Sequence, residues 1–178
     1  FPVRVAYARP RGVVECSPMM ARGTVLANIT IFGLPDGGAV TLFSMVQFIL
    51  VSFRHGVKWG LFTGFVNSLL QMLLGFYAPP APGLLPLVGM ILLDYVLAFT
   101  LLGLACVFAK PFQNRLLGAA VGSAVVCFIR FLCSFLSGVL IWGNLSDGLP
   151  AWIYSLTYNG SYMLPEAILT VVAVVLLY

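Results

Sequence analysis

The sequence predicts an all-α integral membrane protein in which six transmembrane helices form a compact bundle. Of its 178 residues, 61% are hydrophobic and only 8% are charged, a composition that excludes an ordinary soluble domain. A helix that crosses a hydrocarbon core of about 30 Å needs about 20 apolar residues. Six such segments with short connections use the whole chain, so we expect a single membrane domain over residues 1–178.

Turn-forming sequences separate the six predicted spans. These breaks are GLPDGG, RHG, APPAPG, KPFQNR and GNLSDGLP, and clusters of glycine, proline and asparagine are typical of loops. The apolar segments between them are interpreted as helices because of their length. The predicted spans cover roughly residues 13–32, 38–53, 57–77, 84–108, 116–142 and 153–178.

Basic residues predict the orientation, since short loops rich in lysine and arginine stay in the cytoplasm. They precede the first span and flank the second and fourth breaks, whereas the opposite loops carry acidic residues. We therefore expect both termini in the cytoplasm, with the chain in the cell membrane. The net charge of +4 follows from this topology and indicates no nucleic-acid partner. The residues are Arg4, Arg9, Arg11, Arg54, Lys58, Lys110 and Arg115 inside, and Asp36 and Asp147 outside.

Four ionisable side chains fall inside predicted spans: Arg22, Asp94, Arg130 and Glu166. Such a group near mid-membrane costs at least about 2.5 kcal/mol, so it normally faces the bundle interior and pairs or lines a site. For Arg130 and Glu166 we favour a buried ion pair between adjacent helices. For Asp94, within the apolar run LLDYVLAF of the fourth span, we favour a ligand site because of the residues expected beside it.

The fifth span has a stripe of residues spaced by four: Arg130, Ser134, Gly138 and Trp142. The stripe rises from mid-membrane to the outer surface, with space beside the glycine and an indole at the mouth. Taken singly, Gly138 is more typical of close helix packing, and Trp142 of the aromatic belt at the membrane interface.

The sixth span begins with WIYSLTYNGSYMLPE, in which Tyr154, Tyr158, Tyr162 and Glu166 also repeat every four residues. On an ideal helix Tyr154 and Asn159 point about 140° apart, so both face one pocket only if the backbone is irregular. The Asn-Gly pair and the proline that follow favour such an irregularity.

Together these patterns predict an outward-facing pocket among the last three helices that binds a flat, polar cation. Asp94 supplies the counter-charge, aromatic faces supply stacking or cation–π contacts, and Asn159 offers a donor and an acceptor. We expect no enzyme, since the single histidine, His55, lies in a cytoplasmic turn far from Ser134 and Asp94. The sequence shows no nucleotide-binding motif, and its four cysteines lack the spacing of a metal site.

The chain resembles the thiamine-specific substrate-binding subunits of energy-coupling factor transporters. The likeness runs from Glu15 to the C-terminus and rests on LPDGGAVTLFSM, VSFRHGVKWGL, LLDYVLAF, RFLCSFLSGVLIWG and WIYSLTYNGSYMLP. It implies a six-helix bundle that binds thiamine from outside, near the outer membrane face, without a cofactor or metal. It also implies partners, namely a membrane coupling subunit and two cytoplasmic ATPases that drive import.

The resemblance assigns roles to individual positions. It implies a coupling-subunit contact at the small residues Ser17 and Ala21, although such a pair also suits packing within the bundle. Ser134 stands where the family has a histidine. The implied ligand contacts are Asp94, Tyr95, Gly138, Trp142, Tyr154 and Asn159.

Three hypotheses about function remain open at this point. The first is a thiamine-binding subunit of a vitamin importer. The second is a subunit of the same class whose ligand is a thiamine precursor or analogue, because Ser134 replaces the histidine. The third is a membrane scaffold without transport activity, whose buried polar residues only join helices. Saturable binding of a small molecule separates the first two from the third.

Overall fold

The computed structural model describes residues 14, 17–19, 21–22, 25, 30–33, 39–41, 44–76, 78–79, 83–143 and 148–178. Helices dominate this part of the chain, as the sequence predicted. Three of them, α3 to α5, are long and apolar enough to cross a membrane. The helices are α1 (Val46–His55), α2 (Val57–Leu74), α3 (Leu84–Ala109), α4 (Arg115–Leu140) and α5 (Ala151–Leu177).

The first predicted span is described only at some positions. Residues 14, 17–19, 21–22 and 25 have helical backbone, and the side chains of Ser17 and Ala21 are exposed. Most of the GLPDGG loop, with Asp36, lies outside the described residues. So do Asp147 and the N-terminal arginines on which part of the orientation argument depends.

A β-hairpin stands at two places where the sequence predicted helix. Strand β1 (Thr30–Gly33) pairs antiparallel with strand β2 (Ala39–Thr41). The prediction that spans 13–32 and 38–53 are helical throughout is therefore wrong at these residues. The strand sequences TIFG and AVT contain β-branched residues, which favour strands, and they flank a glycine-rich connection typical of hairpins.

The hairpin shortens the helix that follows it. Helix α1 has 10 residues and is about 15 Å long, half the thickness of the hydrocarbon core. Together with α3 to α5 it encloses an apolar core that includes Phe48, Ile49, Leu102 and Val126.

Helix α3 changes its hydrogen-bond pattern along its length. It is α-helical at Leu84–Met90, π-helical at Ile91–Leu97 and 3-10 helical at Leu101–Leu104. Turns with five-residue spacing are rare and occur frequently at functional sites. The irregular backbone thus lies in the helix that carries Asp94.

Helix α5 lacks the irregularity that the sequence predicted near Asn159. It is α-helical from Ala151 to Leu177 with Pro165 inside it, so that prediction is wrong. A proline removes one backbone hydrogen bond, and neighbouring helices and side chains compensate for this loss within a membrane bundle.

Candidate ligand-binding site

The carboxylate of Asp94 lies at the contact between α3 and α4. Asp94 is in the π-helical segment and is partly buried. Its Oδ2 atom accepts a hydrogen bond of 2.5 Å from Ser137 Oγ, and the side chain of Trp142 also bonds the carboxylate. The sequence placed an acid here, and the structure shows that protein donors hold it in a fixed position.

The guanidinium of Arg130 takes an aromatic partner. Its Cζ atom lies 4.6 Å from the ring centroid of Phe99, and within the described part of the chain its Nη1 atom has no hydrogen-bond partner. It is also close enough to Asp94 to interact with it electrostatically. Arg130 thus adds a positive charge behind the carboxylate.

Glu166 is buried and bonds a serine that follows the hairpin. It is only 1% exposed, and its Oε1 atom accepts a hydrogen bond of 3.1 Å from Ser44 Oγ. The ion pair between Arg130 and Glu166 that the sequence favoured stays a prediction. A planar guanidinium stacks well on an aromatic face, which is consistent with the contact between Arg130 and Phe99.

Asn159 joins α5 to α4 through its amide group. Its Nδ2 atom donates to the carbonyl of Ser134 at 3.3 Å and to the carbonyl and hydroxyl of Ser155 at 3.0 and 3.1 Å. Its Oδ1 atom accepts a hydrogen bond of 2.9 Å from the hydroxyl of Tyr162. Asn159 is 6% exposed, so the amide is engaged with protein on both sides.

Close approach of α4 and α5 explains Gly138. A Cβ atom added there would overlap the side chain of Ser155 and lie 3.1 Å from Nδ2 of Asn159. The space beside this glycine is therefore occupied by Ser155, whose hydroxyl donates to the carbonyl of Phe135 at 2.8 Å.

Tyrosine rings line one side of α5. The rings of Tyr154 and Tyr158 are stacked with centroids 5.8 Å apart, and Tyr158 meets Tyr162 edge to face at the same separation. The hydroxyl of Tyr162, at the end of this row of rings, donates a hydrogen bond to Asn159. Aromatic faces and the amide network are thus continuous along one helix.

Tyr95 makes its described contacts at the far end of α2. Its hydroxyl donates to the carbonyl of Gly75 at 3.2 Å, and its ring stacks on Phe76 with centroids 6.1 Å apart. The structure therefore places Asp94 with Trp142 at the contact of α3 and α4, and Asn159 with Ser134 and Gly138 at the contact of α4 and α5. Tyr95 is tied to the connection between α2 and α3.

The hairpin and the residues that follow it contact α5, near the middle of that helix. Ser44 follows β2 and bonds Glu166, which is 15 residues along α5 from Ala151, or about 22 Å. Strand β2 also packs against α5. The hairpin therefore takes the place that the first half of a longer second helix would occupy.

Two serines of this site were absent from the sequence prediction. Ser137 and Ser155 are both 0% exposed and provide the hydroxyl groups that hold Asp94 and Asn159. For Ser137 a signal existed, because it follows Arg130 by seven residues, or about two helical turns. Ser155 follows Tyr154 directly and has no comparable signal.

Metal binding has no support in the described residues, where no group of three or more histidine, cysteine, aspartate or glutamate side chains is placed to hold an ion. The described cysteines, Cys106, Cys127 and Cys133, are free thiols. The arrangement offers a carboxylate, an indole, tyrosine rings and an amide, which suits binding of an organic cation.

Comparison with known proteins gives a consistent result. The family described as Thiamine transporter protein (Thia_YuaJ) matches residues 13–178. The Thiamine transporter ThiT of Bacillus subtilis strain 168 is 32% identical in an alignment 178 positions long. This alignment covers 93% of this chain and 89% of the relative. ThiT of Lacticaseibacillus paracasei is 30% identical over 142 residues, which cover 74% and 69% of the two chains.

A solved structure supports the fold. ThiT from Listeria monocytogenes superposes with a TM-score of 0.78 at 21% sequence identity, and the match covers 95% of this chain and 93% of that one. The family match over residues 13–178 and the two similar proteins confirm the resemblance that the sequence motifs indicated. The chain has the architecture of a multi-pass protein of the cell membrane.

Proposed function

The chain belongs to the thiamine transporter protein family, and we propose that it captures thiamine from outside the cell in a pocket beside Asp94. The observation that carries this proposal is the carboxylate itself, which the hydroxyl of Ser137 and the side chain of Trp142 hold in place. A carboxylate fixed at membrane depth is a ready counter-charge for the cationic ring of thiamine.

The neighbouring groups suit the rest of the ligand. Tyr154 on α5 and Trp142, just after the end of α4, supply aromatic faces, while Ser134 and Gly138 lie on α4. The Oδ1 atom of Asn159 accepts a hydrogen bond from the hydroxyl of Tyr162. Asn159 contacts the ligand when a donor group of the ligand replaces that hydroxyl. Tyr95, the residue after Asp94 on α3, completes the site.

The chain spans the membrane six times as a single domain, with both termini in the cytoplasm. The β-hairpin forms the outer wall of the pocket, beside α5. Irregular backbone at this depth is stable when it is buried in protein or borders a polar cavity, which supports a pocket between the hairpin and α5.

Import uses energy supplied by partner proteins. The subunit associates with a membrane coupling subunit and two cytoplasmic ATPases of an energy-coupling factor module. The exposed small residues Ser17 and Ala21, four positions apart on helical backbone, suit close packing of a partner helix.

A second candidate ligand is a thiamine precursor or analogue. Ser134 is partly exposed, and its small side chain offers no ring to stack on the ligand. A competition assay with thiamine, its pyrimidine fragment and other vitamins distinguishes the two candidates. Higher thiamine affinity in Ser134→His supports an altered ligand preference, and an unchanged profile contradicts it.

The direct test is binding by the purified protein. We expect mass spectrometry to find thiamine bound after purification, and added thiamine to quench tryptophan fluorescence through Trp142. Asp94→Asn keeps an acceptor for Ser137 but removes the charge, so thiamine affinity should fall roughly ten- to hundredfold. The uncharged pyrimidine fragment is the matched control, because its binding should not depend on that charge.

Two outcomes contradict the proposal. The absence of saturable binding of any thiamine-related compound indicates a scaffold protein instead. Unchanged thiamine affinity in Asp94→Asn leaves the ligand assignment intact but refutes the role of this carboxylate.

A further inference from the structure

Helix α2 presents a buried polar face to α3. Thr63, Asn67 and Ser68 are each at most 1% exposed. The hydroxyls of Thr63 and Ser68 donate to carbonyls of their own helix. Asn67 differs, because within the described residues neither its Nδ2 atom nor its Oδ1 atom has a hydrogen-bond partner. A buried amide without partners inside a membrane bundle calls for a physical explanation.

Close backbone contacts set the register between the two helices. Gly60 lies against Gly103, and Gly64 lies against Phe99 and Thr100, so the helices run antiparallel. Asn67 lies three residues, or about one helical turn, beyond Gly64 on α2. Because the helices are antiparallel, the part of α3 that faces Asn67 lies about one turn before Phe99. That part is the end of the π-helical segment Ile91–Leu97, which α2 contacts.

A second unpartnered group lies at the same junction. Thr100 Oγ1 is buried and has no hydrogen-bond partner among the described residues. Here the backbone spacing also changes, because the N–H of Ala98 donates to the carbonyl of Tyr95, three residues back. An unpartnered amide on α2, an unpartnered hydroxyl on α3 and an irregular backbone thus lie within about one helical turn of one another along the contact between the two helices.

We propose that Asn67 and Thr100 form a water-binding site that positions Asp94. A buried water typically makes about three hydrogen bonds to otherwise unsatisfied polar groups. The water is held between these two side chains and the backbone of the π-helical segment. It thereby fixes the turn of α3 from which the carboxylate of Asp94 bonds Ser137. The inference rests on the proposed thiamine site, for which Asn67 is a positioning residue that does not touch the ligand.

The test separates positioning from packing by comparing two ligands. In Asn67→Leu we expect thiamine affinity to fall by about tenfold or more, with less than about a twofold change for the uncharged pyrimidine fragment. Only the charged ring depends on Asp94. Combining Asn67→Leu with Asp94→Asn should add little to the loss in Asp94→Asn, since the two changes disable one interaction.

A ligand-independent measurement keeps this inference separate from the proposed function. Hydrogen exchange of amides 91–98 should be faster in Asn67→Leu and unchanged in the matched control Ser68→Ala, a buried residue whose hydroxyl bonds its own helix. Thr100→Val, which keeps the side-chain shape, should show the same pattern if Asn67→Leu does not fold. If wild type binds no thiamine, only the proposed function fails.

Specific outcomes overturn the inference. Equal loss of affinity for both ligands in Asn67→Leu, or losses that add to those of Asp94→Asn, shows that Asn67 acts through packing alone. Unchanged hydrogen exchange at residues 91–98 in both Asn67→Leu and Thr100→Val refutes the water-binding site itself.

Discussion

At the scale of single residues, the sequence identified charges but not their partners. Asp94 was predictable as a functional group because an acid within LLDYVLAF has no local means of solvation. Its donor, Ser137, lies on another helix, and residue spacing alone does not determine which side chains meet across an interface. The same limit applies to the contact of Arg130 with Phe99, which residue spacing did not predict.

Gly138 offers a test of how closely α4 and α5 approach each other. In Gly138→Ala the new methyl group overlaps Ser155, and overpacking of this kind costs typically about 1–3 kcal/mol. We expect a lower melting temperature and weaker thiamine binding, since the strain acts on Ser155 and Asn159. Thermal unfolding in detergent and a fluorescence titration measure the two effects.

Two further variants complete the Gly138 experiment. Gly160→Ala is the matched control, because a Cβ atom at Gly160 meets nothing within 4 Å, and alanine has the higher helix propensity. Adding Ser155→Gly to Gly138→Ala removes the overlapping atoms and should recover part of the lost stability. A melting temperature for Gly138→Ala equal to that of Gly160→Ala contradicts the packing argument.

At the scale of whole elements, apolar periodicity located helices well and their irregularities poorly. Helices α2 to α5 begin and end within a few residues of the predicted spans. The sequence placed an irregular turn at Asn159-Gly160 on the basis of local turn residues, yet cross-helix hydrogen bonds hold α5 regular there. No proline or glycine lies within Ile91–Leu97, so turn chemistry gave no signal for the π-helical segment.

The hairpin shows the opposite limit. Its strand signals, TIFG and AVT around a glycine-rich turn, are present in the sequence. They are short, and the segments that adjoin them are long and apolar. An interpretation based on apolar length therefore merged them with the adjoining helices. In the structure the short strand β2 packs against α5.

Ser44 anchors the hairpin and provides the second test. Ser44→Ala removes the hydroxyl that bonds Glu166, at a cost of about 1–3 kcal/mol. If the hairpin is the outer wall of the pocket, the main effect should be faster dissociation of thiamine with a nearly unchanged association rate. Stopped-flow fluorescence measures both rates.

Ser123→Ala is the matched control for the hairpin anchor. Ser123 is 0% exposed, and its hydroxyl donates to the carbonyl of Ala119 within α4, so its loss should change neither rate. Equal dissociation rates in Ser44→Ala and wild type mean that the hairpin does not retain the ligand.

At the scale of the whole molecule, glycines and polar groups stabilise different regions. Gly60 and Gly64 bring α2 against the backbone of α3, and Gly122 of α4 lies against Ala105. Within a bilayer, helices associate through close packing at small residues because lipid is as apolar as the side chains. Towards Asp94 and Asn159, hydrogen bonds between side chains take over. The pattern GxxxG in α2 and α4 was visible in the sequence, whereas the polar contacts required the fold.

Exposed apolar side chains cover the outside of the bundle. Leu73, Leu85, Leu140 and Leu176 are among the most exposed of them, at 73–84%. A surface of this kind is typical of contact with lipid tails rather than water. Because this surface is apolar on all sides, the charges at the ends of the helices determine the orientation of the bundle in the membrane.

The proposed orientation follows from those charges and decides the direction of transport. Helix α4 has 26 residues and is about 39 Å long, more than the hydrocarbon thickness, so its ends lie on opposite sides of the membrane. Lys110 and Arg115 lie at one end, and Trp142, beside Asp94, lies at the other.

We expect Leu149→Cys, at the Trp142 end, to react on intact cells with a membrane-impermeant maleimide, and Lys110→Cys to react only after permeabilisation. Both sites are exposed, so access decides the result once the four native cysteines are replaced by alanine. The reverse pattern would open the pocket to the cytoplasm, and capture of thiamine from outside would then be impossible for this chain.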